Sequence, residues 1–301
     1  MANYTEGNCT TKLCQPSTSQ WQTGVVVFLV ALNIFLSITA SLGNALILIV
    51  LHKKTSLHPP TKLLFKCLAV TDLCVGLISQ PLHCTLILSH DTTKMKSSII
   101  KANTAVSAVL CGVSVGTSTA ISVDRLLALL LGMSYRQVVT LRRAREVVTC
   151  VWLISVLLGS VSFLNFRIFW IIVYVGVISS LAISLFSYMK IYFTLRQHQT
   201  QVQGQFHQGH GGGIPWNIAR YKKTVSSILS VQLVLVLCYI PFVVVSIVTI
   251  DDEISFDVIW AATVILVYLN SSLNPILYCW KIKEVRQEMK DLIRNYCCLW
   301  S

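Results

Sequence analysis

Seven long stretches of this chain carry almost no Asp, Glu, Lys or Arg, and they constrain its fold more than any other feature. They are residues 25–51, 67–89, 102–123, 147–166, 168–189, 224–250 and 258–280. Asp72 is the one charged residue within them. Each stretch reaches the roughly 20 residues that a helix needs to cross the hydrocarbon core of a bilayer. The sequence therefore predicts seven membrane-spanning segments.

The overall composition agrees with membrane helices. Of the 301 residues, 54% are apolar and 12% are charged, whereas about 25% of the residues of a typical soluble domain are charged. The stretches lack the alternating polarity of membrane β-strands, and a helix satisfies its own backbone hydrogen bonds inside lipid. We therefore predict an all-α membrane protein, with a seven-transmembrane helix bundle over residues 24–280.

The basic residues indicate how this bundle is oriented. With the N-terminus outside, every Lys and Arg falls in an inner segment except Lys12, Lys94, Lys96, Lys101 and Arg167. Because Lys and Arg are enriched on the cytoplasmic side, the tail of residues 1–23 is predicted to be extracellular. Glycosylation sequons at Asn3 and Asn8 agree, since they are accessible only outside the cell. The basic inner face favours anionic lipid or an acidic cytosolic partner over nucleic acid.

Two inner segments lie outside the helices of the bundle. Residues 196–223 are rich in Gln, His and Gly and are predicted to form a flexible loop. Residues 281–301 begin with apolar and basic side chains at helical spacing, which predicts an amphipathic helix on the inner leaflet. Cys297 and Cys298 near its end are candidates for palmitoylation. On the outer side only residues 165–167 join the fourth and fifth stretches, so the chain must turn tightly there.

Asp72 is the most informative single residue, because an ionised group near the bilayer centre costs about 2.5 to 3.5 kcal/mol. It therefore needs a partner or a proton. Ser114 in the third stretch and Asn270, Ser271 and Asn274 in the seventh can supply oxygen atoms but no positive charge. A carboxylate among neutral oxygens suits a small hard cation, or else it becomes protonated by desolvation.

Other residues within or beside the stretches indicate a mobile bundle. Asp124 and Arg125 place opposite charges side by side at the inner end of the third stretch, where each offsets the desolvation of the other. Pro81, Pro241 and Pro275 lie inside stretches, where each removes a helix hydrogen bond and weakens the helix locally. No metal-ligand spacing, nucleophile motif or phosphate-binding glycine loop is present, so the chain is predicted not to be an enzyme.

Together these residues belong to a wider set of motifs. In chain order the motifs are Gly43-Asn44, Leu68-Ala69-x-x-Asp72, Asp124-Arg125-Leu126, Tyr135, Trp152, Tyr188-x-x-Ile191, Cys238-Tyr239-Ile240-Pro241 and Asn274-Pro275-Ile276-Leu277-Tyr278. With each motif in its own span, the chain resembles the rhodopsin-like G-protein-coupled receptors over essentially its whole length.

The resemblance implies a plasma-membrane receptor that converts binding of an extracellular small molecule or short peptide into activation of a heterotrimeric G protein. It implies that the sixth helix swings outward, and that Arg125 pairs with Asp124 at rest. The implied switch residues are Asp124, Arg125, Tyr135, Tyr188, Tyr239, Pro241, Asn274, Pro275 and Tyr278. The implied site for an allosteric sodium ion comprises Asp72, Ser114, Asn270 and Asn274. No cofactor is required.

Several departures from the usual family pattern indicate which receptors within the family this chain resembles most. Ile100 replaces a cysteine, Ser180 replaces the fifth-helix proline, and the second outer loop is very short. In these respects the chain resembles the melanocortin receptors and, more loosely, the adenosine and cannabinoid receptors. Leu126 replaces an aromatic residue, and Tyr221 stands where an acid usually locks the sixth helix, which predicts some basal signalling.

The resemblance also implies which residues line the ligand cavity. They are Ser107, Cys111, Tyr239, Phe242, Ser246, Val264 and Tyr268. Amine and retinal ligands are disfavoured, because Ser107 replaces the aspartate of amine receptors and Tyr268 replaces the lysine of opsins. The sequence leaves the identity of the ligand open.

Two other functions also stay open at this point. A binding or scaffolding receptor of the same fold would have lost signalling through its altered switch residues. An ion-coupled transporter using Asp72 would carry discontinuous helices and inverted repeats, and neither is visible in the sequence.

Overall fold

The structure is a computed structural model that describes residues 18–52, 57–88, 94–207, 234–248 and 258–281, with residues 286–287 and 294 of the C-terminal segment. These described residues are helical apart from short connections. The helices in chain order are α1 (Thr18–His52), α2 (Pro59–Cys74), α3 (Gln80–Leu88), α4 (Lys94–Leu131), α5 (Tyr135–Val138), α6 (Leu141–Leu164), α7 (Phe166–His207), α8 (Val234–Val248) and α9 (Val258–Lys281).

Each of the seven predicted stretches contains a helix, which confirms the all-α prediction. Among the described residues, six helical spans are long and apolar enough to cross a membrane, with α2 and α3 forming one span together. The helix α8 is shorter and covers the described part of the sixth stretch. Large apolar side chains such as Phe35, Leu157 and Phe186 are more than half exposed on the outside of the bundle. Such a surface belongs in lipid, so the chain is a multi-pass membrane protein.

A wide π-helical turn, Val75–Ser79, joins α2 to α3. Pro81, the second residue of α3, follows the turn after Gln80 and cannot donate a backbone hydrogen bond to the preceding turn. The turn brings Gly76 against α1, where Ser37 Oγ donates a hydrogen bond to the Gly76 carbonyl over 2.6 Å. The bend that the sequence predicts at Pro81 is therefore a widened turn that packs on α1.

Small residues set the distances between several helices. A Cβ atom on Gly43 of α1 would lie 2.9 Å from the ring of Pro275 in α9. Beside it, the Asn44 side chain donates to the Ser271 carbonyl over 3.1 Å. Close approach at small residues, together with hydrogen bonds between helices, is how membrane helices associate. The first and last spans are thereby fixed against each other next to Asp72.

The connection between α6 and α7 is even shorter than the predicted turn. Only Asn165 is extended, and its side chain accepts a hydrogen bond from the Ile168 backbone N–H over 3.0 Å, which caps the start of α7. At its other end α7 continues to His207, into the segment expected to be a loop. Gln and Thr there tolerate a helix, and no proline interrupts it. The remainder of the inner loop, and nearly all of residues 282–301, lie outside the described residues.

Candidate functional site

A cavity of about 310 Å³ lies inside the bundle, toward the end where α7 begins. The residues that line it are Asn103, Thr104, Ser107, Ala108, Cys111, Gly112, Val115 and Gly116 of α4, Val151, Ile154, Ser155 and Leu158 of α6, Phe169, Trp170, Val173, Gly176, Val177 and Ser180 of α7, Tyr239 and Phe242 of α8, and Trp260, Val264, Val267 and Tyr268 of α9.

The cavity contains most of the ligand-binding residues expected from the sequence. Among its lining are Ser107, Cys111, Tyr239, Phe242, Val264 and Tyr268. Ser246 is buried in α8 but is not part of the lining. The hydroxyl groups of Ser107 and Tyr268 share a hydrogen bond of 2.9 Å, which joins α4 to α9 across the cavity.

Sequence reasoning missed the side of the cavity formed by α6 and α7. Trp170 is its centre, because its ring stacks on Tyr174 at 5.7 Å and contacts Phe169, Phe242 and Trp260 at centroid distances of 5.1 to 6.4 Å. The run Phe166-Arg-Ile-Phe169-Trp170, where the fourth stretch ends and the fifth begins, was the available signal. It gives the aromatic residues but not the direction in which they point.

Asp72 lies fully buried near the middle of the bundle. Its Oδ1 accepts hydrogen bonds from Ser114 Oγ at 2.9 Å and Ser271 Oγ at 2.7 Å, and its Oδ2 accepts one from Asn274 Nδ2 at 2.7 Å. No Lys or Arg within the described ranges pairs with it. Asn270 is buried next to Ser271, but its Oδ1 has no hydrogen-bond partner there.

This polar cluster, formed by Asp72, Ser114, Ser271 and Asn274, lies beside the inner part of the cavity, whose α4 lining continues past Ser114 to Gly116. Cys111 lines the cavity, and Ser114 follows it by about one helical turn, or roughly 5 Å along α4. Tyr268 and Ser271 have the same spacing in α9. The cavity and the hydrogen-bond donors to the buried carboxylate therefore share the helices α4 and α9.

At the opposite end of α4, Asp124 is the centre of a second network, which we call the inner network. Its Oδ2 accepts from Thr61 Oγ1 at 2.9 Å and from Arg125 Nη2 at 2.5 Å, and its Oδ1 accepts from Tyr135 OH at 2.6 Å. Arg125 Nη2 also donates to Thr61 Oγ1 at 2.6 Å. The carboxylate is buried, whereas the Arg125 side chain is 21% exposed at the edge of the bundle.

The chain direction just after α4 explains why Tyr135 reaches Asp124. Gly132 adopts a positive φ of 50°, which a residue without a Cβ atom does at little cost. The chain therefore turns back after α4, and α5 places the Tyr135 hydroxyl over the carboxylate. A lone glycine before Tyr135 was a signal for this turn in the sequence.

The remaining switch residues lie on other helices. Tyr188 of α7 is buried, and its hydroxyl shares a hydrogen bond of 3.0 Å with Ser122 Oγ of α4. Tyr239 and Pro241 lie in α8, and Pro275 lies inside α9. Tyr278 belongs to α9, but its side chain is outside the described residues. So are Asn3, Asn8, Tyr221, Cys297 and Cys298.

Comparison with known proteins agrees with this geometry. The family pattern for "7 transmembrane receptor (rhodopsin family)" matches residues 43–168 and 162–278. Melanocortin receptor 4 of Danio rerio is 24% identical over 286 residues, which cover 90% of this chain and 85% of that receptor. Adenosine receptor A3 of Ovis aries is 25% identical over 286 residues, covering 86% and 87%. Adenosine receptor A3 of Canis lupus familiaris is 23% identical over 293 residues, covering 89% and 91%.

The match covers most of the chain and reaches all seven predicted stretches, which confirms the family resemblance and excludes a transporter or enzyme assignment. The chain belongs to the rhodopsin family of seven-transmembrane receptors and is a G-protein-coupled receptor.

Proposed function

We propose that this receptor, placed in the plasma membrane with its N-terminus outside, couples occupancy of the cavity to G-protein activation through the inner network. The observation that carries the proposal is the position of Arg125. Its guanidinium is held by Asp124 and Thr61 of the receptor itself, at an edge that solvent reaches. A cationic side chain released from such a network is suited to contact a cytoplasmic partner.

In the proposed active form, Arg125 and Tyr188 exchange their hydrogen-bond partners at this edge of the bundle. Arg125 leaves Asp124 and contacts the G protein, while Tyr188 turns from Ser122 toward Arg125. Outward movement of α8 makes room for both changes. The starting contacts are short and specific, so the resting form has a defined structure from which to depart.

The ligand acts on α8 through Tyr239. This side chain is buried against the cavity, two residues before Pro241. Because proline removes a hydrogen bond of its helix, α8 bends there at lower cost than elsewhere. A ligand that presses on Tyr239 therefore changes the bend of α8 at Pro241, and the inner cleft widens.

We propose further that Asp72, Ser114, Asn270 and Asn274 hold a sodium ion in the resting form, with Ser271 as an additional oxygen ligand. The donor set fits, because oxygen atoms surround a buried carboxylate that pairs with no basic side chain among the residues that the structure describes. The unpartnered Asn270 Oδ1 adds a neutral oxygen on the same helix. A bound sodium ion would supply the positive charge that lets this carboxylate stay ionised in the bundle.

Sodium is expected to stabilise the resting receptor and thereby to lower agonist affinity. Without an agonist, the effect is measured as thermal unfolding of the purified receptor in sodium chloride against choline chloride at equal ionic strength. At a sodium concentration of about ten times Kd, binding adds about 1.4 kcal/mol to the free energy of unfolding. Asp72→Asn should abolish the difference, whereas Ser271→Ala, which keeps the carboxylate, should retain part of it. Equal unfolding of the wild type in both salts would contradict the site.

Coupling itself is tested by nucleotide exchange. The full-length receptor is reconstituted in nanodiscs with a panel of heterotrimeric G proteins, and exchange is compared between wild type and Arg125→Ala. The wild type should accelerate exchange on at least one G protein even without ligand, and Arg125→Ala should not. A non-signalling scaffold receptor would leave exchange at the rate of the G protein alone for both forms.

A further inference from the structure

We propose that the cavity opens sideways into the bilayer between α6 and α7, and that it takes an uncharged amphiphile with a hydroxyl or amide head and a single alkyl chain. The inference deepens the proposed function, on which it rests for the orientation of the receptor. It assigns both the chemical class of the ligand and its route of entry.

The side opening follows from two residues that belong to the cavity and to the outer surface at once. Ile154 of α6 and Gly176 of α7 both line the cavity. Ile154 is also 65% exposed on the outside of the bundle, and Gly176 is exposed as well. A Cβ atom built on Gly176 would meet no atom within 4 Å, so the gap beside it is open. We call this gap the side portal.

The side portal lies at the depth of lipid chains. Ile154 is ten residues from the end of α6 at Leu164, and Gly176 is ten residues from the start of α7 at Phe166. At 1.5 Å per residue, both lie about 15 Å from the membrane surface, near the middle of a hydrocarbon core about 30 Å thick. Molecules that reach the portal at this depth are those already dissolved in the bilayer.

The described part of the cavity lining disfavours a charged ligand. None of its described residues is Asp, Glu, Lys, Arg or His. A charge enters such a site only at a large desolvation cost, whereas an alkyl chain gains by contact with the apolar lining. The volume of about 310 Å³ is at the lower end of the range of about 300 to 1,000 Å³ for small-molecule sites.

Two buried polar atoms in the lining indicate the head group. Asn103 is 5% exposed and Trp170 is 8% exposed, yet neither Asn103 Oδ1 nor Trp170 Nε1 has a hydrogen-bond partner in the described part of the bundle. One is an acceptor and the other a donor. Leaving such groups unpaired in a buried site is unfavourable. A hydroxyl or amide head group can both donate to Asn103 Oδ1 and accept from Trp170 Nε1.

The positions of these atoms match an amphiphile in its ordinary orientation. Trp170 lies four residues into α7, about 6 Å from its start, and Asn103 lies two residues after Lys101, the last charged residue before the third predicted stretch. Both are therefore near the membrane surface, whereas the side portal lies near the midplane. A head group at the surface with a chain toward the midplane is how a lipid already lies in the bilayer.

The proposal is tested with dodecanamide carrying a diazirine in its chain, loaded into nanodiscs that contain the full-length receptor and no G protein. Light-induced labelling should be saturable, and mass spectrometry should place the adducts on α6 and α7 beside the side portal. Dodecanol should compete with the probe, whereas laurate and dodecyltrimethylammonium should not. Equal competition by the two charged analogues would overturn the assigned ligand class.

Gly176→Phe tests the route, with Gly24→Phe as its matched control. Both glycines lie in apolar helices and both have open space at the Cβ position, so both variants should unfold at the wild-type temperature. Gly176→Phe should slow the onset of labelling strongly, and Gly24→Phe should not. Labelling of Gly176→Phe at the wild-type rate would overturn the side portal.

Asn103→Leu tests the head group. It keeps the size of the side chain but removes the unpaired acceptor, so the affinity for the amide probe should fall about fivefold to tenfold with little change in the association rate. Unchanged affinity would overturn the role of Asn103. Because labelling is measured without a G protein, saturable labelling of a receptor that fails to exchange nucleotide would contradict the proposed coupling and leave the side portal standing.

Discussion

Asp124→Asn is expected to raise the basal rate of nucleotide exchange about tenfold to a hundredfold. Asp124 is 4% exposed and accepts hydrogen bonds from Thr61, Arg125 and Tyr135. Hydrogen bonds to a charged group contribute about 1.5 to 3 kcal/mol each, and 1.4 kcal/mol changes an equilibrium constant about tenfold. Removing the charge therefore shifts the population toward the form in which Arg125 is free.

Glu146→Gln is the matched control for this prediction. Glu146 also pairs with an arginine, at 3.1 Å from Arg142, but the two side chains are 60% and 91% exposed. Exposed pairs of this kind contribute about 0 to 1 kcal/mol, and the pair lies in α6, away from the inner network. Its loss should leave basal exchange unchanged. A wild-type rate for Asp124→Asn would mean that the inner network does not hold the resting form.

Gly159→Leu is expected to destabilise the bundle strongly. A Cβ atom on Gly159 of α6 would lie 2.5 Å from Val109 Cγ2 and 3.2 Å from the backbone oxygen of Ala105, both in α4. The backbone of Ala105 cannot move without shifting α4. Overpacking usually costs about 1 to 3 kcal/mol and occasionally more, and here the added side chain must separate two whole helices.

The measurement is thermal unfolding of the receptor in nanodiscs, with Gly24→Leu as the control. Gly24 is in α1 and has no atom within 4 Å of a built Cβ, so that variant should unfold at the wild-type temperature. Gly159→Leu should unfold at a clearly lower temperature or fail to accumulate. If both variants unfolded together, α4 and α6 would not be in close contact at this glycine.

The helices could be predicted because so few residues are charged. The buried polar site could be predicted because a single carboxylate, Asp72, lies within a span. A chain with so few charges must bury its helices in lipid, and Asp72 must find polar partners there. Ser114, Ser271 and Asn274 are those partners in the structure. Asn270 was expected beside them, but it donates no described hydrogen bond to Asp72. Adjacent residues of a helix point about 100° apart, so only the rotation of α9 decides which of them faces Asp72.

For the same reason, the α6 and α7 side of the cavity could not be predicted from the sequence. Both helices are apolar on all faces, so no hydrophobic pattern indicates which residues point inward. Gly176 has no feature in the sequence that separates it from Gly159, although one faces a gap and the other a tight helix contact. The unpaired atoms of Asn103 and Trp170 likewise become visible only when their neighbours are known.

The structure also shows the surroundings of Leu126, which departs from the family pattern. Leu126 stands where the resemblance leads one to expect an aromatic residue, and it packs against Tyr188 and Ile191 of α7. This apolar contact holds α7 beside the inner network but gives Arg125 no hydrogen bond. We expect basal exchange above that of the G protein alone, because the described residues that hold Arg125 are Asp124 and Thr61, and neither lies on the sixth span.

The most direct test of the account is the position of Arg125 in a structure of this receptor bound to a nucleotide-free G protein. The account predicts that the guanidinium leaves Asp124, contacts the G protein in a cleft between α4 and α8, and meets the Tyr188 hydroxyl. A complex in which Arg125 still pairs with Asp124 and Thr61, while the G protein docks elsewhere, would contradict it.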